Sequence, residues 1–498
     1  MPENLLLGIH ACLSLSNLAA LTFGALIGVI VGIIPGIGPL VGMVVVLPFT
    51  FALNPGIATS ILLGIFCGGY FGGAVPAVLI RAPGVPSSVF TTFDGFPLTQ
   101  KGQAQTALSA TLLGSFGGGV VSVIILMVMA PALAHVAASF GSPEYFSAAA
   151  FGVTMLIMAY RKHLCQGLIL LGFGMWMSCV GIDAVTLAPR FDFGTMVMRN
   201  GLHIAPVCLG LFGVAQMLTL VQRPFLETEM VHLSRRTLDF SKLLIPLRYW
   251  KTLIQSGVIG TFVGLLPGPG SVTASFFTYE AARLTSKKPE EFGKGSVEGC
   301  MAAEAGDNAV PAGAMIPLLT LGIPGEAISA VLLGVFTLNG IYPGPLLLVK
   351  EPVLINQIFF SLFLIQVASF AILALWLRSL AMIVKVPSSM LAVMVMVISV
   401  VGIYSINLRF FDVWVALVMA VLGYVLLRLE WPAVTLVIGL VLGELMEERL
   451  RESLSMSGGD PLIFFQRPVS LTLLLASAAA VIIPLYVDHR RRAAAKPA

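Results

Sequence analysis

The chain has 498 residues, of which 57% are hydrophobic and only 10% are charged, and its formal net charge at pH 7 is +4. This number of charged residues is too small to cover the surface of a water-soluble globule of this length. The composition therefore excludes a soluble protein and predicts an integral membrane protein. The basic residues are spread along the chain, which argues against a nucleic-acid partner. The six cysteines lack CxxC spacing and the six histidines are dispersed, so neither residue type predicts a metal site.

Residues 1–17 form a lead-in without lysine or arginine, and the apolar segment that follows contains GVIVGIIPGIG at 28–38. Proline and glycine break helices, so Pro35 and Gly36 predict a turn inside this apolar segment. The same pattern returns as GTFVGLLPGPG at 260–270, with each matching residue 232 positions later. This repeat divides the chain into two homologous halves.

Apolar stretches close to the roughly 20 residues that span a bilayer as a helix recur through both halves. In the first half they predict crossings at 57–80, 104–130, 144–160, 164–185 and 202–222. In the second half they predict crossings at 296–322, 352–377, 389–406, 411–428 and 431–447, with a last one near 468–487. Because each half crosses an odd number of times, the second half is predicted to be inverted relative to the first.

The predicted fold class is an all-α polytopic membrane protein with two inverted-topology repeats of about five crossings each. Each repeat opens with a Pro-Gly re-entrant hairpin, and one C-terminal transmembrane helix follows the second repeat. The predicted segments are a lead-in at 1–17, a first repeat at 18–222, a basic cytoplasmic linker at 223–251, a second repeat at 252–450, and a C-terminal helix with a basic cytoplasmic tail at 451–498.

The distribution of basic residues orients this topology, because cytoplasmic loops are enriched in lysine and arginine. Placing the 223–251 linker inside assigns 21 basic residues to the cytoplasmic side and 7 to the outside, with the carboxyl terminus inside. Both flanks of each Pro-Gly segment then lie on one side, so each segment must turn back within the bilayer. An arm such as 253–266 spans about 21 Å at 1.5 Å per residue, so the two hairpin tips are predicted to meet near the midplane.

Broken helices that meet at mid-membrane are typical of secondary transporters, in which helix amino termini present free N–H groups to anions. Glycine lets a ligand approach the backbone closely. The predicted substrate-binding residues at the two tips are Pro35, Gly36, Gly38, Gly268 and Gly270. Close helix packing is the alternative explanation for such glycines, and an anion channel lined by the two hairpins is the alternative function.

Four stretches resemble a known family: GIIPGIGPL, GGYFGGAVPAVLIRAPGVPSSVFTTFDGFPLTQKG, FGKGSVEGCMAAEAGDNAVPAGAMIPLLTLGIPGEAISAVLLG and GIYPGPLL. They closely resemble the large membrane subunit of the tripartite tricarboxylate transporters, over residues 20 to about 450. The resemblance implies a bacterial inner-membrane carrier, which works with a small membrane subunit and receives a carboxylate from a periplasmic substrate-binding protein. In such a membrane, the topology predicted from the basic residues places the amino terminus in the periplasm. The resemblance also implies import driven by a sodium or proton gradient without a cofactor, and no Walker A sequence is present.

The resemblance also assigns residues beside two further Pro-Gly pairs. In the first half, Pro83-Gly84 begins a short helix that ends near Asp94, and its hydroxyl groups suit a substrate carboxylate. The resemblance implies substrate binding by Ser87, Ser88 and Thr91 in this half, and by Pro324, Gly325 and Ser329 in the other half. Ordinary capping of a helix amino terminus is the alternative role for these hydroxyl groups.

Glu304 and Asp307 lie three residues apart on one face of the crossing that begins near residue 296, with Asn308 beside them. Carboxylates within the membrane are costly unless paired, hydrated or ion-bound. Glu304, Asp307 and Asp94 are therefore predicted to couple an ion, and Asn308 to bind substrate. The family usually has Asn at the position of Asp307, so this Asp could carry a proton or add charge to a sodium site. A structural ion pair with a basic residue is the alternative role.

An intramembrane enzyme is the remaining alternative. Intramembrane aspartyl proteases carry Gly-x-Gly-Asp, and the nearest strings here, EAGD and SGGD, lack the first glycine. Neither HExxH nor GxSxG occurs in the sequence, which also argues against an enzyme. Arg81 is interpreted as a side chain that snorkels at the cytoplasmic end of a crossing rather than as a substrate ligand.

Overall fold

The computed structural model describes residues 2–137, 139–183, 186–222, 245–268, 270–382 and 388–494. Most of the predicted 223–251 linker and the last residues of the predicted tail lie outside these ranges. Within them, the only strands are two short ones, β1 (Gly181–Ile182) and β2 (Pro189–Arg190), which pair antiparallel. The rest is helix and connecting turns, so the predicted all-α class is confirmed.

The first half contains nine helices within the described residues. They are α1 (Pro2–Leu13), α2 (Leu15–Ile33), α3 (Gly38–Thr50), α4 (Pro55–Ile80), α5 (Val89–Gln100), α6 (Ala104–Ala137), α7 (Ser142–Ala159), α8 (Leu164–Ser178) and α9 (Ile204–Val221). Helix α9 contains a π-helical segment at Leu209–Val214. A 3₁₀ turn at Pro86–Ser88 precedes α5.

Eleven further helices follow in the described part of the second half. They are α10 (Trp250–Leu265), α11 (Gly270–Thr285), α12 (Val297–Leu321), α13 (Ala327–Leu338), α14 (Pro345–Lys350), α15 (Pro352–Ala381), α16 (Ser388–Asn407), α17 (Phe410–Arg428), α18 (Ala433–Met456), α19 (Ile463–Gln466) and α20 (Pro468–Ala494). Each of the eleven predicted crossings overlaps one of the helices of the two halves, but the predicted crossing at 164–185 extends past the end of α8 at Ser178 and into strand β1.

Six helices in the described ranges are long and apolar enough to span a membrane: α2, α4, α6, α9, α15 and α17. They make the chain a multi-pass membrane protein. Helix α12 overlaps the predicted crossing at 296–322 but is not among these six, and it carries Glu298, Glu304 and Asp307. Helix α1 was not predicted, because its segment was interpreted only as a lead-in.

Helices α2 and α3 form a hairpin whose turn lies at residues 34–37. Helix α2 packs along α4 through three glycines: Gly24 contacts Ile61, Gly28 contacts Ile65, and Gly32 contacts Gly69. The offset of 37 residues is the same in all three pairs, so the two helices run parallel. Small residues at this spacing allow close backbone approach. The turn therefore lies beside the middle of α4, which is buried along its whole apolar span.

The second half repeats this arrangement with α10, α11 and α12. Helices α10 and α11 are joined by a turn that contains Pro267 and Gly268. Gly260 contacts Gly306 and Gly264 contacts Val310. The constant offset of 46 residues means that α10 runs parallel to α12. Each half thus has one hairpin whose first arm packs on the long helix that follows it.

The two long helices α4 and α12 run in opposite directions. Helix α5, which follows the end of α4, holds Asp94 against the backbone of Gly295 and Ser296 at the start of α12. Helix α6 then returns parallel to α12, because Gly114 contacts Met301 and Gly118 contacts Ala305. Helices α4, α6 and α12 therefore bring residues from both halves together at the centre of the bundle.

Candidate functional site

The hairpin turns depend on glycines in backbone conformations that other residues rarely adopt. The φ angles are 89° at Gly36, 67° at Gly38, 108° at Gly268 and 62° at Gly270. Positive φ values of this size favour glycine because it has no Cβ atom. The equivalent positions of the two halves thus share the same turn requirement, which explains why the Pro-Gly-x-Gly pattern occurs twice.

The Pro-Gly pairs that follow α4 and α12 close over the hairpin turns. A Cβ atom on Gly84 would collide with the carbonyl oxygen of Gly32, and one on Gly325 would approach the carbonyl oxygen of Gly264 to 2.7 Å. Gly32 and Gly264 are equivalent residues of the repeat. The N–H group of Gly268 donates to the carbonyl of Gly325 at 2.8 Å. In this structure that amide is therefore not free to bind an anion.

Carboxylate and hydroxyl side chains from both halves meet around the middle of α12. Thr91 of α5 donates to one oxygen of Glu304 at 2.5 Å, and Ser115 of α6 donates to the other at 3.3 Å. Ser87 donates to Oδ2 of Asp307 at 2.8 Å. Asn308 donates from Nδ2 to the Ser115 hydroxyl oxygen at 2.8 Å. We call these residues, together with Ser88, the α12 oxygen cluster: Ser87, Ser88, Thr91, Ser115, Glu304, Asp307 and Asn308.

Oδ1 of Asp307 and Oδ1 of Asn308 have no hydrogen-bond partner, and Oγ of Ser88, which lies near Glu304, has no partner at normal hydrogen-bond geometry. Each of these side chains is at most 1% exposed. No lysine, arginine or histidine of the described residues forms an ion pair with Glu304 or Asp307, so the alternative of a structural ion pair gains no support. A buried set of oxygens with surplus negative charge is the environment that a hard cation prefers.

Asp94, which was predicted to couple an ion, lies apart from this cluster. Its carboxylate accepts hydrogen bonds from the N–H groups of Gly295 and Ser296 and from the hydroxyl of Tyr279, each at 2.8 Å. Ser296 and Glu304 are eight residues apart, which corresponds to about 12 Å along a helix. The contacts of Asp94 fix the amino terminus of α12 against α5.

Glu326 is a carboxylate that the sequence predictions did not include. It lies between the predicted residues Gly325 and Ser329, half-buried, at the amino terminus of α13. The Tyr70 hydroxyl of α4 lies 3.3 and 3.5 Å from its two carboxylate oxygens. The Ser329 hydroxyl donates to the Glu326 carbonyl at 2.8 Å and accepts from its N–H at 2.9 Å, which is helix capping. An acidic residue inside a conspicuous Pro-Gly motif was the available signal.

A large open cavity, of about 1290 Å³, lies at the end of the bundle where α4 begins and α12 ends. Its lining includes the basic residues Arg199, Lys350 and Arg449 and the acidic residues Glu351, Glu444 and Glu448. It contains none of the predicted substrate-binding residues, although Leu321 and Gly322 of its wall precede the second Pro-Gly pair. Arg81 lies outside this cavity, exposed at the other end of α4.

The loop beside this cavity is held by charge pairs. Arg199 donates to the carboxylate of Asp192 at 2.9 Å, and this hydrogen bond holds the pKa of Asp192 below its usual range. Arg190 and Arg451 both contact Asp183 and Glu447, at 2.6 to 3.7 Å. These contacts tie the β1–β2 hairpin to helix α18.

The fold and the central buried charges define a polytopic helical membrane protein with a polar site inside the bundle. Residues 18–438 match the family described as the Tripartite tricarboxylate transporter TctA family, and the chain belongs to that family. The predicted resemblance is thus confirmed. Membership assigns the chain to a transporter family whose name indicates a tripartite system with further subunits.

Two relatives from Agrobacterium vitis are similar to this chain. One, named "Uncharacterized 52.8 kDa protein in TAR-I ttuC' 3'region", is 36% identical over 498 residues, covering 98% of this chain and 97% of the relative. The other, named "Uncharacterized protein in TAR-II ttuC' 3'region", is 38% identical over 237 residues, covering 47% of this chain and 96% of the relative. No solved structure has a significant match to this chain.

Proposed function

We propose that this chain is the large transmembrane subunit of a binding-protein-dependent secondary transporter that imports a carboxylate with a sodium gradient. Family membership supports transport in a tripartite system. We choose sodium because of one observation. Ser88, Asp307 and Asn308 have buried oxygens without partners at normal hydrogen-bond geometry, and the two carboxylates beside them have no basic partner among the described residues. A cation bound by these oxygens would supply the partner that they lack and would reduce the cost of the buried charge.

The proposed sodium ligands come from two segments. Asp307 and Asn308 offer oxygens from α12, Ser88 offers its hydroxyl from the turn before α5, and Glu304 completes the negative charge. Ser87 and Thr91 donate their hydroxyl hydrogens to protein carboxylates, so we propose that they position the ion ligands instead of binding substrate. Asp307 adds a second carboxylate beside Glu304, which makes the site more negative and should strengthen cation binding.

We further propose that the two halves form inverted repeats and that both hairpins are re-entrant in the bilayer. The parallel packing of α2 on α4 and of α10 on α12, together with the opposite directions of α4 and α12, supports this topology. It places the amino terminus in the periplasm and the carboxyl terminus in the cytoplasm of a bacterial inner membrane. The 1290 Å³ cavity then faces the periplasm, where a substrate-binding protein would deliver its ligand.

The proposed substrate site lies between the hairpin turns and the Pro-Gly pairs that close over them. Its residues are Pro35, Gly36 and Gly38 from one half, and Gly268, Gly270, Pro324 and Gly325 from the other. The hydrogen bond between Gly268 and Gly325 must break before the Gly268 amide can bind a carboxylate. The structure is therefore interpreted as a closed form, and opening of this contact is proposed to admit substrate.

The sealed α12 oxygen cluster does not favour a channel, because an ion pathway would need continuous access to water. An intramembrane protease would need two facing aspartates, whereas Glu304 and Asp307 lie on one helix. Neither alternative is supported by an observation of its own.

Uptake of radiolabelled carboxylates into vesicles tests the proposal. The vesicles should contain both membrane subunits and receive the cognate binding protein loaded with candidate acids, under separately imposed sodium and proton gradients. The proposal predicts saturable uptake that requires both the binding protein and an inward sodium gradient. Linear flux without the binding protein would indicate a channel, and uptake driven by a proton gradient without sodium would contradict the proposed coupling ion.

A further inference from the structure

Glu326 is a carboxylate at the junction of the two halves that the proposed sodium site does not use. Its side chain leaves the amino terminus of α13 and reaches Tyr70 in the middle of α4. It also lies over the start of α11, where a Cβ atom at Gly270 would be 3.6 Å from its Oε2 atom. Segments of α4, α11 and α13 therefore meet at this one side chain.

The groups around Glu326 supply no positive charge. Tyr70 faces it from α4, Tyr160 interacts with it electrostatically from the end of α7, and Asp307 does so from α12. Within the described residues, no lysine, arginine or histidine contacts Glu326. A hydroxyl donor such as Tyr70 stabilises a carboxylate but does not neutralise its charge.

Charge balance at the centre of the bundle is therefore incomplete with sodium alone. Glu304, Asp307 and Glu326 together carry three negative charges when ionised, and one sodium ion neutralises only one of them. An uncompensated carboxylate inside a membrane protein is costly, and it is stabilised by a cation or by protonation. One sodium ion shared by Glu304 and Asp307 leaves two of the three negative charges, and a proton on Glu326, which lies outside the proposed ion site, removes one of these two.

The backbone beside Glu326 takes part in the closed contact. Gly325, its neighbour, accepts the hydrogen bond from Gly268 at the second hairpin turn. Opening of this contact would separate Gly325 from the hairpin turn and would expose more of the neighbouring Glu326 side chain, which is half-buried in the closed form, to water. The affinity of the carboxylate for a proton is thus linked to whether the hairpin turn is closed.

We propose that Glu326, with Tyr70 as its hydrogen-bond partner, is a proton-binding site that is protonated in the closed form and exchanges its proton with water when the hairpin turn opens. The proton comes from water on the side to which the turn opens and binds to a carboxylate oxygen; no other bond changes. This inference rests on the proposed transport function but assigns a second, separate ion site.

Infrared difference spectroscopy tests the proposal on the purified full-length protein in lipid nanodiscs, with protons and sodium as the only probes. A pH step in the wild type should produce a carboxylic-acid C=O band that is absent from Glu326→Gln. Tyr70→Phe should keep the band and move its midpoint by about half to one pH unit upward, since the carboxylate loses a donor. Glu298→Gln is the matched control, because Glu298 is another half-buried glutamate with hydroxyl partners, and it should keep the Glu326 band.

The outcomes separate this inference from the proposed function. Persistence of the whole band in Glu326→Gln, or an unmoved midpoint in Tyr70→Phe, would overturn the inference. Binding of ²²Na⁺ to the same samples should be retained in Glu326→Gln. Absence of sodium binding in the wild type, with the Glu326 band present, would overturn the sodium site and leave the proton site standing.

Discussion

Asp307→Asn is the substitution that most directly perturbs the proposed sodium site. Asn keeps an oxygen at the position of the unpartnered Oδ1 atom and removes one negative charge. A unit charge pair at about 4 Å is worth roughly 4 kcal/mol at an effective dielectric constant of 20. Part of this is offset, because the repulsion between Asp307 and Glu304 in the empty site also disappears. We expect a net loss of about 1.4 to 2.7 kcal/mol, or roughly 10- to 100-fold in sodium affinity.

The assay is sodium-dependent uptake in vesicles, in parallel with ²²Na⁺ binding to the purified protein. The sodium concentration for half-maximal uptake should rise by about 10- to 100-fold, while the apparent substrate affinity at saturating sodium should change little. Glu298→Gln lies on the same helix but contacts Thr252 and Ser286, so it serves as the control and should leave the sodium dependence unchanged. Unchanged sodium dependence in Asp307→Asn would refute the reasoning and leave Asp307 a structural role.

The remaining predictions concern packing and the hairpin turns. Gly32→Ala should lower the free energy of unfolding by about 1 to 3 kcal/mol, because the added methyl group would meet the backbone of α4. Gly172 has open space around it, so Gly172→Ala is the control, and equal melting temperatures of the two variants would contradict the prediction. Asp94→Asn should also lower the free energy of unfolding by about 1 to 3 kcal/mol, because two backbone N–H groups lose a charged acceptor. A change in sodium affinity in this variant would argue against a purely structural role of Asp94. Gly268→Leu should insert into the membrane but fail in vesicle uptake, because its φ is 108° and α7 packs against it; wild-type uptake would refute this.

Most of the predicted architecture follows from the sequence repeat at 28–38 and 260–270. The repeat located both hairpins and the long helices that follow them, because Pro-Gly-x-Gly within an apolar segment has few other structural explanations. Apolar length predicted helices at the crossings, and five of the eleven predicted crossings coincide with described helices that are long and apolar enough to span a membrane. Helix α1 was missed because the bounds of a short terminal segment depend on packing, here of Gly8 against Asn356 of α15.

The candidate site was only partly predictable. Glu304, Asp307 and Asn308 could be found because charged and amide groups are rare inside apolar helices. Ser115 carries no such signal in α6, and only the packing of α6 on α12 places it beside Glu304. The sequence also does not reveal that the carboxylate of Asp94, which is predicted to couple an ion, meets backbone amides about 200 residues later.

The central claim is that two interrupted hairpins extend into the bilayer from opposite sides. Single cysteines at exposed flanking positions test it in a variant that lacks the six native cysteines: Leu13 and Leu53 flank the first hairpin, and Trp250 and Lys287 flank the second. A membrane-impermeant thiol reagent added outside intact cells should label both flanks of the first hairpin and neither flank of the second. Labelling of one flank but not the other, in either hairpin, would contradict the account.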